Sequence, residues 1–223
     1  EHAVFGQAGQ RVLIEQFLDG EELTIMAFTD GRAVVPMLPA QDHKRVGDGD
    51  TGPNTGGMGA YCPAPLGTMA LREQVTKQVL YPAVEALSRM GCPFQGVLYA
   101  GLMVVKGTPY VLEFNARMGD PETQVVLPLL KTDLLEVIEA VVEHRLDQLS
   151  VEWHDDTAVC VVMTSAGYPG SYQTGRAIHG LPSVPAATTV VFHAGTARTG
   201  AEVGTAGGRV LGITGLGKTL AVA

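Results

Sequence analysis

The chain has 223 residues, with 23 acidic against 15 basic side chains, a formal charge of −8, and 46% hydrophobic residues. That is long enough to bury a real core, too apolar for a disordered chain, and without the basic stripe of a general nucleic-acid binder. The longest apolar run, residues 97–105, falls far short of the roughly 20 residues a membrane helix needs. Residues 1–150 carry 19 acidic and 11 basic side chains, whereas residues 151–223 carry four of each. Three cysteines, Cys62, Cys92 and Cys160, stand far apart with no CxxC pair. They suit neither a zinc site nor a disulfide framework and read as buried hydrophobes in a reducing cytoplasm. The first residues, Glu1 to Phe5, show no signal peptide and no initiator Met, and the last seven stop where a helix would begin. The expectation is a segment of a longer polypeptide.

In chain order, residues 11–18 predict a strand, and residues 23–29 a second one that turns at Asp30-Gly31 and returns over 32–38. Asp-Gly between apolar runs is a strong hairpin signal. Residues 41–65 are rich in glycine and proline and predict a long loop of the kind that is usually functional or disordered. A helix over 68–90 follows, with Leu71, Val75, Val79, Val84 and Leu87 as its apolar stripe, Pro82 as a kink and Gly91 as its end. Residues 95–106 read as a buried strand, 107–109 as a turn and 110–114 as the returning strand. Asp120-Pro121 predicts the start of a short helix to about residue 130. Thr132-Asp133 predicts the cap of another, with Leu134, Leu135, Ile138, Val141 and Val142 on its apolar side. After Arg145 the composition changes, and short strands over 157–164, 189–193 and 209–214 are separated by Gly/Pro-rich connections. A domain boundary is placed near residue 150, giving units 1–150 and 151–223. No internal repeat is evident.

Three stretches could carry chemistry. On a strand, residues two apart share a face, so Glu113 and Asn115 project a carboxylate and an amide oxygen together. Both are the hard donors that Mg²⁺ takes alongside nucleotide phosphates, and Arg117 could grip a phosphate bidentately. A plain polar strand end is the competing reading. In the second stretch, Asp42, Lys44 and Arg45 precede Asn54-Thr55-Gly56-Gly57-Met58-Gly59, where small residues let backbone N–H groups converge on an anion. A surface loop would look the same. The third, Glu15 to Glu22, is a strand end with several carboxylates that could receive an adenine and a ribose, or serve no ligand.

Two patterns are discounted. Residues 212–219 match GxxxxGK[ST] letter for letter, but a nucleotide-binding loop of that type opens a helix within a parallel sheet, and only four residues follow Thr219. The histidines (His2, His43, His144, His154, His179, His193) have no ligand spacing, and no GxSxG elbow supports a hydrolase.

Taken together, these stretches resemble the phosphoribosylamine–glycine ligase (glycinamide ribonucleotide synthetase) family of the ATP-grasp superfamily. The matching segments run from Val12-Leu13-Ile14-Glu15-Gln16-Phe17-Leu18-Asp19-Gly20-Glu21-Glu22 through Gln41-Asp42-His43-Lys44-Arg45 and the Gly52–Gly59 loop. They continue with Gly96-Val97-Leu98-Tyr99-Ala100-Gly101-Leu102 and Glu113-Phe114-Asn115-Ala116-Arg117-Met118-Gly119-Asp120-Pro121-Glu122. Gly167-Tyr168-Pro169-Gly170 and Gly207-Gly208-Arg209-Val210-Leu211 complete the match, which covers essentially the whole chain.

The resemblance implies an α+β fold: the C-terminal part of an ATP-grasp domain, mainly antiparallel sheet with flanking helices, then a small α/β C-terminal domain. It implies joining of glycine to 5-phosphoribosylamine with ATP converted to ADP and phosphate, through a glycyl phosphate. It assigns Glu113 and Asn115 to Mg²⁺ (or Mn²⁺), Glu15 and Leu18 to adenine, and Glu22 to ribose. Asp42, Lys44, Arg45, Asn54, Thr55, Gly56, Gly57 and Met58 fall to the substrate pocket, and Arg117 to charge on the transferring phosphoryl group. Neither nucleic acid nor membrane is implied as a partner. Met118 stands where the family commonly has Phe, a volume-tolerant change. The family's N-terminal domain and the lobe with its phosphate-covering loop are not in this sequence, so the chain alone is expected to be inactive. Another ATP-grasp carboxylate–amine ligase and a non-catalytic Gly-rich nucleotide-binding module are the alternatives.

Overall fold

The computed structural model describes residues 6–181 and 186–223, so His2 and the other residues of the first five lie outside it. It is mainly antiparallel sheet with flanking helices, as expected. Strands β1 (Glu21–Thr29), β2 (Val34–Pro36), β3 (Gln41–Asp42), β4 (Arg45–Gly47), β5 (Thr51–Asn54) and β6 (Gly59–Cys62) come first, then helices α1 (Met69–Val75) and α2 (Tyr81–Arg89). Next come β7 (Gly96–Val105), β8 (Thr108–Asn115), α3 (Thr123–Val126) and α4 (Leu134–Val142). The rest is β9 (Thr157–Thr164), β10 (Thr189–His193), β11 (Thr196–Thr199), β12 (Glu202–Thr205) and β13 (Arg209–Gly217).

One sheet has the order β2-β1-β7-β8 and a second β10-β13-β9-β6-β3, every pair antiparallel. The hairpin forms as the Asp30-Gly31 signal predicts, with Thr29 opposite Val34. Strand β1 is buried on both faces, and its period of two divides its side chains between two cores. Leu23, Ile25 and Ala27 meet Leu71, Val75, Leu80 and Val84 of the helical segment. Met26 and Phe28 meet Val125, Val126, Leu129, Val137 and Val141. The second sheet joins β9, from beyond residue 150, to β6 and β3 from before it.

Four expectations are corrected. Residues 11–18 form no strand, and Val12, Leu13, Ile14 and Phe17 are exposed, Ile14 to 89%. A β-rich pattern makes a strand only where a neighbour completes its ladder, and no described strand pairs with this segment. The supposed loop 41–65 contains four short strands, β3 to β6, too brief for any periodicity to reveal. Helix α3 starts at Thr123, with Glu122 at its N-cap, rather than at Pro121. On α4 the cap is as expected, Asp133 accepting from the Leu135 N–H at 2.8 Å, but the buried face is Val137, Ala140 and Val141. Leu135, Ile138 and Val142 are exposed, because a helix apolar almost all round leaves its buried face to tertiary contacts.

The helix over 68–90 forms with Thr68 capping Leu71 at 3.2 Å, and Gly91, at φ +77°, follows its last turn. The break expected at Pro82 takes the form of a π-helical segment, Thr76–Leu80. Pro82 stands just after that wider turn, in the first turn of α2.

Candidate active site

The end of β8 builds one wall of a polar cleft of about 140 Å³. Glu113 and Asn115 share a face, the Asn115 Nδ2 donating to Glu113 Oε1 at 3.1 Å. Just past the strand, Arg117 Nη2 donates to Asn115 Oδ1 at 3.4 Å and Nη1 to the Met118 carbonyl at 3.0 Å. The facing wall comes from β3 and the region after it, which bring Asp42, Lys44, Thr55 and Gly56 to the same cleft. Seven sequence-predicted residues therefore meet across more than seventy positions of chain: Asp42, Lys44, Thr55, Gly56, Glu113, Asn115 and Arg117.

Others stand elsewhere. Glu22, at the start of β1, pairs with the Lys44 ammonium. Glu15 is exposed and Leu18 half-buried on the segment 12–19, and neither lines the cleft. Arg45 lies on the β4–β5 hairpin opposite Asn54, where it donates to the Gly52 carbonyl at 3.3 Å and sits 3.9 Å from the Asp50 carboxylate. Met58 is half-buried and linked through its backbone to His43 and Val162.

The Gly-rich loop is not an open nest of donors. The Thr55 N–H donates to the Lys44 carbonyl (2.7 Å), Gly56 to the Tyr168 hydroxyl (2.9 Å), Gly57 to Thr55 Oγ1 (3.0 Å) and Met58 to the His43 carbonyl (2.8 Å). What the loop offers a ligand is shape and closely approaching backbone. Gly57 is required for that shape. Its φ is +106°, and a Cβ there would lie 2.4 Å from Pro121 Cδ.

Three lining residues received no role from the sequence: Tyr99, Asp120 and Glu122. Glu122 is only 2% exposed, and its Oε1 accepts from Tyr99 Oη at 2.7 Å and Thr24 Oγ1 at 3.0 Å. No local signal marks it, because an acid ahead of a helix is ordinarily an exposed cap, and Glu122 is buried only by tertiary contacts. Its charge is felt nearby. Burial, reinforced by Glu122, pushes the Asp42 carboxyl up to about 6 against the pull of Lys44. Burial works against the Lys44 ammonium, but its bond to Glu22 and the charges of Asp42, Glu22 and Glu113 outweigh that and raise its pKa.

The donor set fits a hard cation carrying phosphate. Among the described residues no group of three or more His, Cys, Asp or Glu is arranged to hold a metal. A divalent ion at Glu113 and Asn115 would therefore take two protein oxygens and complete its shell with phosphate and water, as Mg²⁺ does in nucleotide sites. Lys44 and Arg117 give the same cleft two cations for anionic groups.

The GxxxxGK[ST] match is a strand. Its first six residues lie within β13, and Lys218 donates to the Asp155 carbonyl at 2.9 Å and pairs with Asp156 at 2.7 Å. Lys218→Ala in the full-length protein should change ATP affinity by less than about tenfold, or ~1.4 kcal/mol. Equilibrium titration with ATP checks this, and a loss of several orders of magnitude would restore the motif as a nucleotide site.

A model of the ATP-grasp (A) domain of phosphoribosylglycinamide synthetase matches residues 1–123, and one of the C domain of the same synthetase matches residues 158–223. The chain is 54% identical over 222 residues to a phosphoribosylamine–glycine ligase of Synechocystis, covering 99% of this chain and 53% of that protein. It is also 54% identical over 209 residues to a trifunctional purine biosynthetic protein of Drosophila pseudoobscura, covering 93% of this chain and 15% of that one. Among solved structures, a phosphoribosylamine–glycine ligase from Thermotoga maritima superposes with a TM-score of 0.83 at 35% identity, covering 94% of this chain and 51% of that one. The chain spans about half the length of the single-function ligases it matches. No described helix is long and apolar enough to cross a membrane.

Proposed function

We propose a function from one premise: the chain belongs to the phosphoribosylglycinamide synthetase family. In its full-length protein it supplies part of a cytoplasmic, ATP-dependent ligase of purine biosynthesis that joins glycine to 5-phosphoribosylamine and releases ADP and phosphate. Residues 1–150 form the C-terminal part of the ATP-grasp domain and residues 151–223 the C-terminal domain, a division supported by the change of composition after Arg145. The partner of both is the rest of the same polypeptide. The observation that carries this reading is the convergence of Glu113, Asn115, Arg117, Lys44 and Asp42 on one cleft.

The reaction runs in two transfers. A glycine carboxylate oxygen attacks the γ-phosphorus of ATP, giving glycyl phosphate and ADP. The amine of phosphoribosylamine then attacks the acyl carbon, the C–O bond to phosphate breaks, and the nitrogen loses a proton. Glu113 and Asn115 would hold Mg²⁺ or Mn²⁺, which when bound would supply positive charge against the phosphate oxygens. Arg117 stabilises the charge that gathers on the transferring phosphoryl oxygens. Lys44 holds the phosphate of the sugar, and Asp42, beside it, receives a polar group of the substrate. Thr55, Gly56, Gly57 and Met58 shape the wall they face, with Arg45 and Asn54 on the hairpin at its rim. Glu15 and Leu18 meet the adenine and Glu22 the ribose once the rest of the polypeptide is in place.

The test is substrate dependence in the full-length protein: multiple-turnover release of ADP and phosphate must require both glycine and phosphoribosylamine. Lys44→Ala should raise the KM for phosphoribosylamine by about 10- to 100-fold, the size of one charge-assisted hydrogen bond, and leave that for ATP within about twofold. Parallel increases in both constants would contradict the placement of Lys44.

A further inference from the structure

The peptide of Gly56 is held at both of its ends by residues more than a hundred positions away. Its N–H donates to the Tyr168 hydroxyl at 2.9 Å, and its carbonyl accepts from Arg209 Nη1. The same Nη1 donates to the Asp120 carbonyl at 2.9 Å, while Nη2 meets the Asp120 carboxylate at 2.9 Å. Arg209 opens β13, and Tyr168 lies on a loop tied to that strand's approach. Ser165 N donates to the Gly208 carbonyl and Ser165 Oγ to the Gly207 carbonyl, both at 2.8 Å. Tyr168 and Arg209 are thus presented side by side by one small framework.

Neither residue lines the cleft, but the groups they hold, Gly56 and Asp120, do. The fit is close, since a Cβ on Gly56 would lie 2.9 Å from the Arg209 guanidinium carbon. A guanidinium makes these three contacts at once because its donors are fixed in a plane. An ammonium cannot reproduce that fork.

We propose that Tyr168 and Arg209 are positioning residues that lock the Thr55–Gly57 wall against Asp120 and so set the affinity for the acceptor amine substrate rather than for the nucleotide. This rests on the ligase reading above. It gives residues beyond 150 a part in the site although they contribute no lining side chain.

The experiment uses Tyr168→Phe and Arg209→Lys in the full-length protein, with Michaelis constants for all three substrates, a melting curve, and amide hydrogen exchange at Gly56. Each variant should raise the KM for phosphoribosylamine by about tenfold or more, with those for ATP and glycine within about twofold. In Tyr168→Phe the Gly56 amide should exchange at least about tenfold faster, with the melting temperature nearly unchanged. An unaltered KM for phosphoribosylamine, or three constants rising together, overturns the positioning role. An unaltered Gly56 exchange rate overturns the clamp itself. Exchange reads the clamp without turnover, so an inactive wild-type protein would count against the ligase reading and leave the clamp decided separately. If Arg209→Lys fails to fold, Tyr168→Phe, which removes one hydroxyl, still decides the question.

Discussion

Replacing Glu113 by Gln in the full-length protein is expected to lower kcat for ligation by about a thousandfold or more while leaving the fold intact. Gln keeps the volume and one oxygen of the side chain but removes its negative charge, and a divalent cation between protein and triphosphate depends on that charge. The fold should not notice. The only hydrogen bond Glu113 makes with a described side chain is to the Asn115 amide, at 3.1 Å on an exposed strand end, and a Gln oxygen can accept it. Circular dichroism melting and steady-state kinetics at rising Mg²⁺ check the two halves. Near-normal turnover at saturating Mg²⁺ would remove Glu113 from the metal site.

Glu122 should behave in the opposite way, as a residue on which the fold itself depends. Glu122→Ala removes the acceptor of two buried hydroxyls, Tyr99 Oη and Thr24 Oγ1, and leaves them only each other at 2.9 Å. The expected loss is about 2–4 kcal/mol of unfolding free energy, because a buried polar group without its partner costs more than the bond itself contributed. Glu122→Gln retains an acceptor of the same size and should recover more than half of that loss. It also removes a charge that helps to raise Asp42, so the Asp42 carboxyl should titrate below its present value of about 6, still held up by burial. Urea denaturation and carboxyl-resolved NMR titration measure the two effects. A Glu122→Ala variant as stable as the wild type would show that the buried network contributes nothing.

What could be read in the sequence follows the range of the forces involved. The β1–β2 hairpin and the Asp133 cap depend on residues within a few positions of one another, and both form where local chemistry puts them. Glu113 and Asn115 were legible for the same reason, since a period of two puts them on one face wherever the strand goes. Residues 11–18 have strand composition, but a ladder is a property of two segments, and none of the described strands supplies the second. The buried face of α4 is not legible locally because Leu135, Ile138 and Val142 are as apolar as Val137 and Val141, and tertiary packing in the core distinguishes them. The part of the site that escaped is the part made at long range. Thr24, Tyr99 and Glu122 form one buried network from three separate elements, and Arg209 reaches Gly56 across 153 positions of chain. No local pattern announces a hydrogen bond of that kind.

The central claim is that this cleft belongs to an enzyme that activates a carboxylate by phosphorylation before an amine displaces the phosphate. Glycine labelled with ¹⁸O in both carboxylate oxygens, supplied with ATP and phosphoribosylamine to the full-length protein, tests it directly. Attack of the carboxylate on phosphorus followed by cleavage of the acyl C–O bond must carry a single labelled oxygen into each inorganic phosphate released, readable as an isotope shift in its ³¹P resonance. Singly labelled phosphate formed in step with glycinamide ribonucleotide is the predicted result. Phosphate that remains unlabelled while ADP and the amide product accumulate would contradict it.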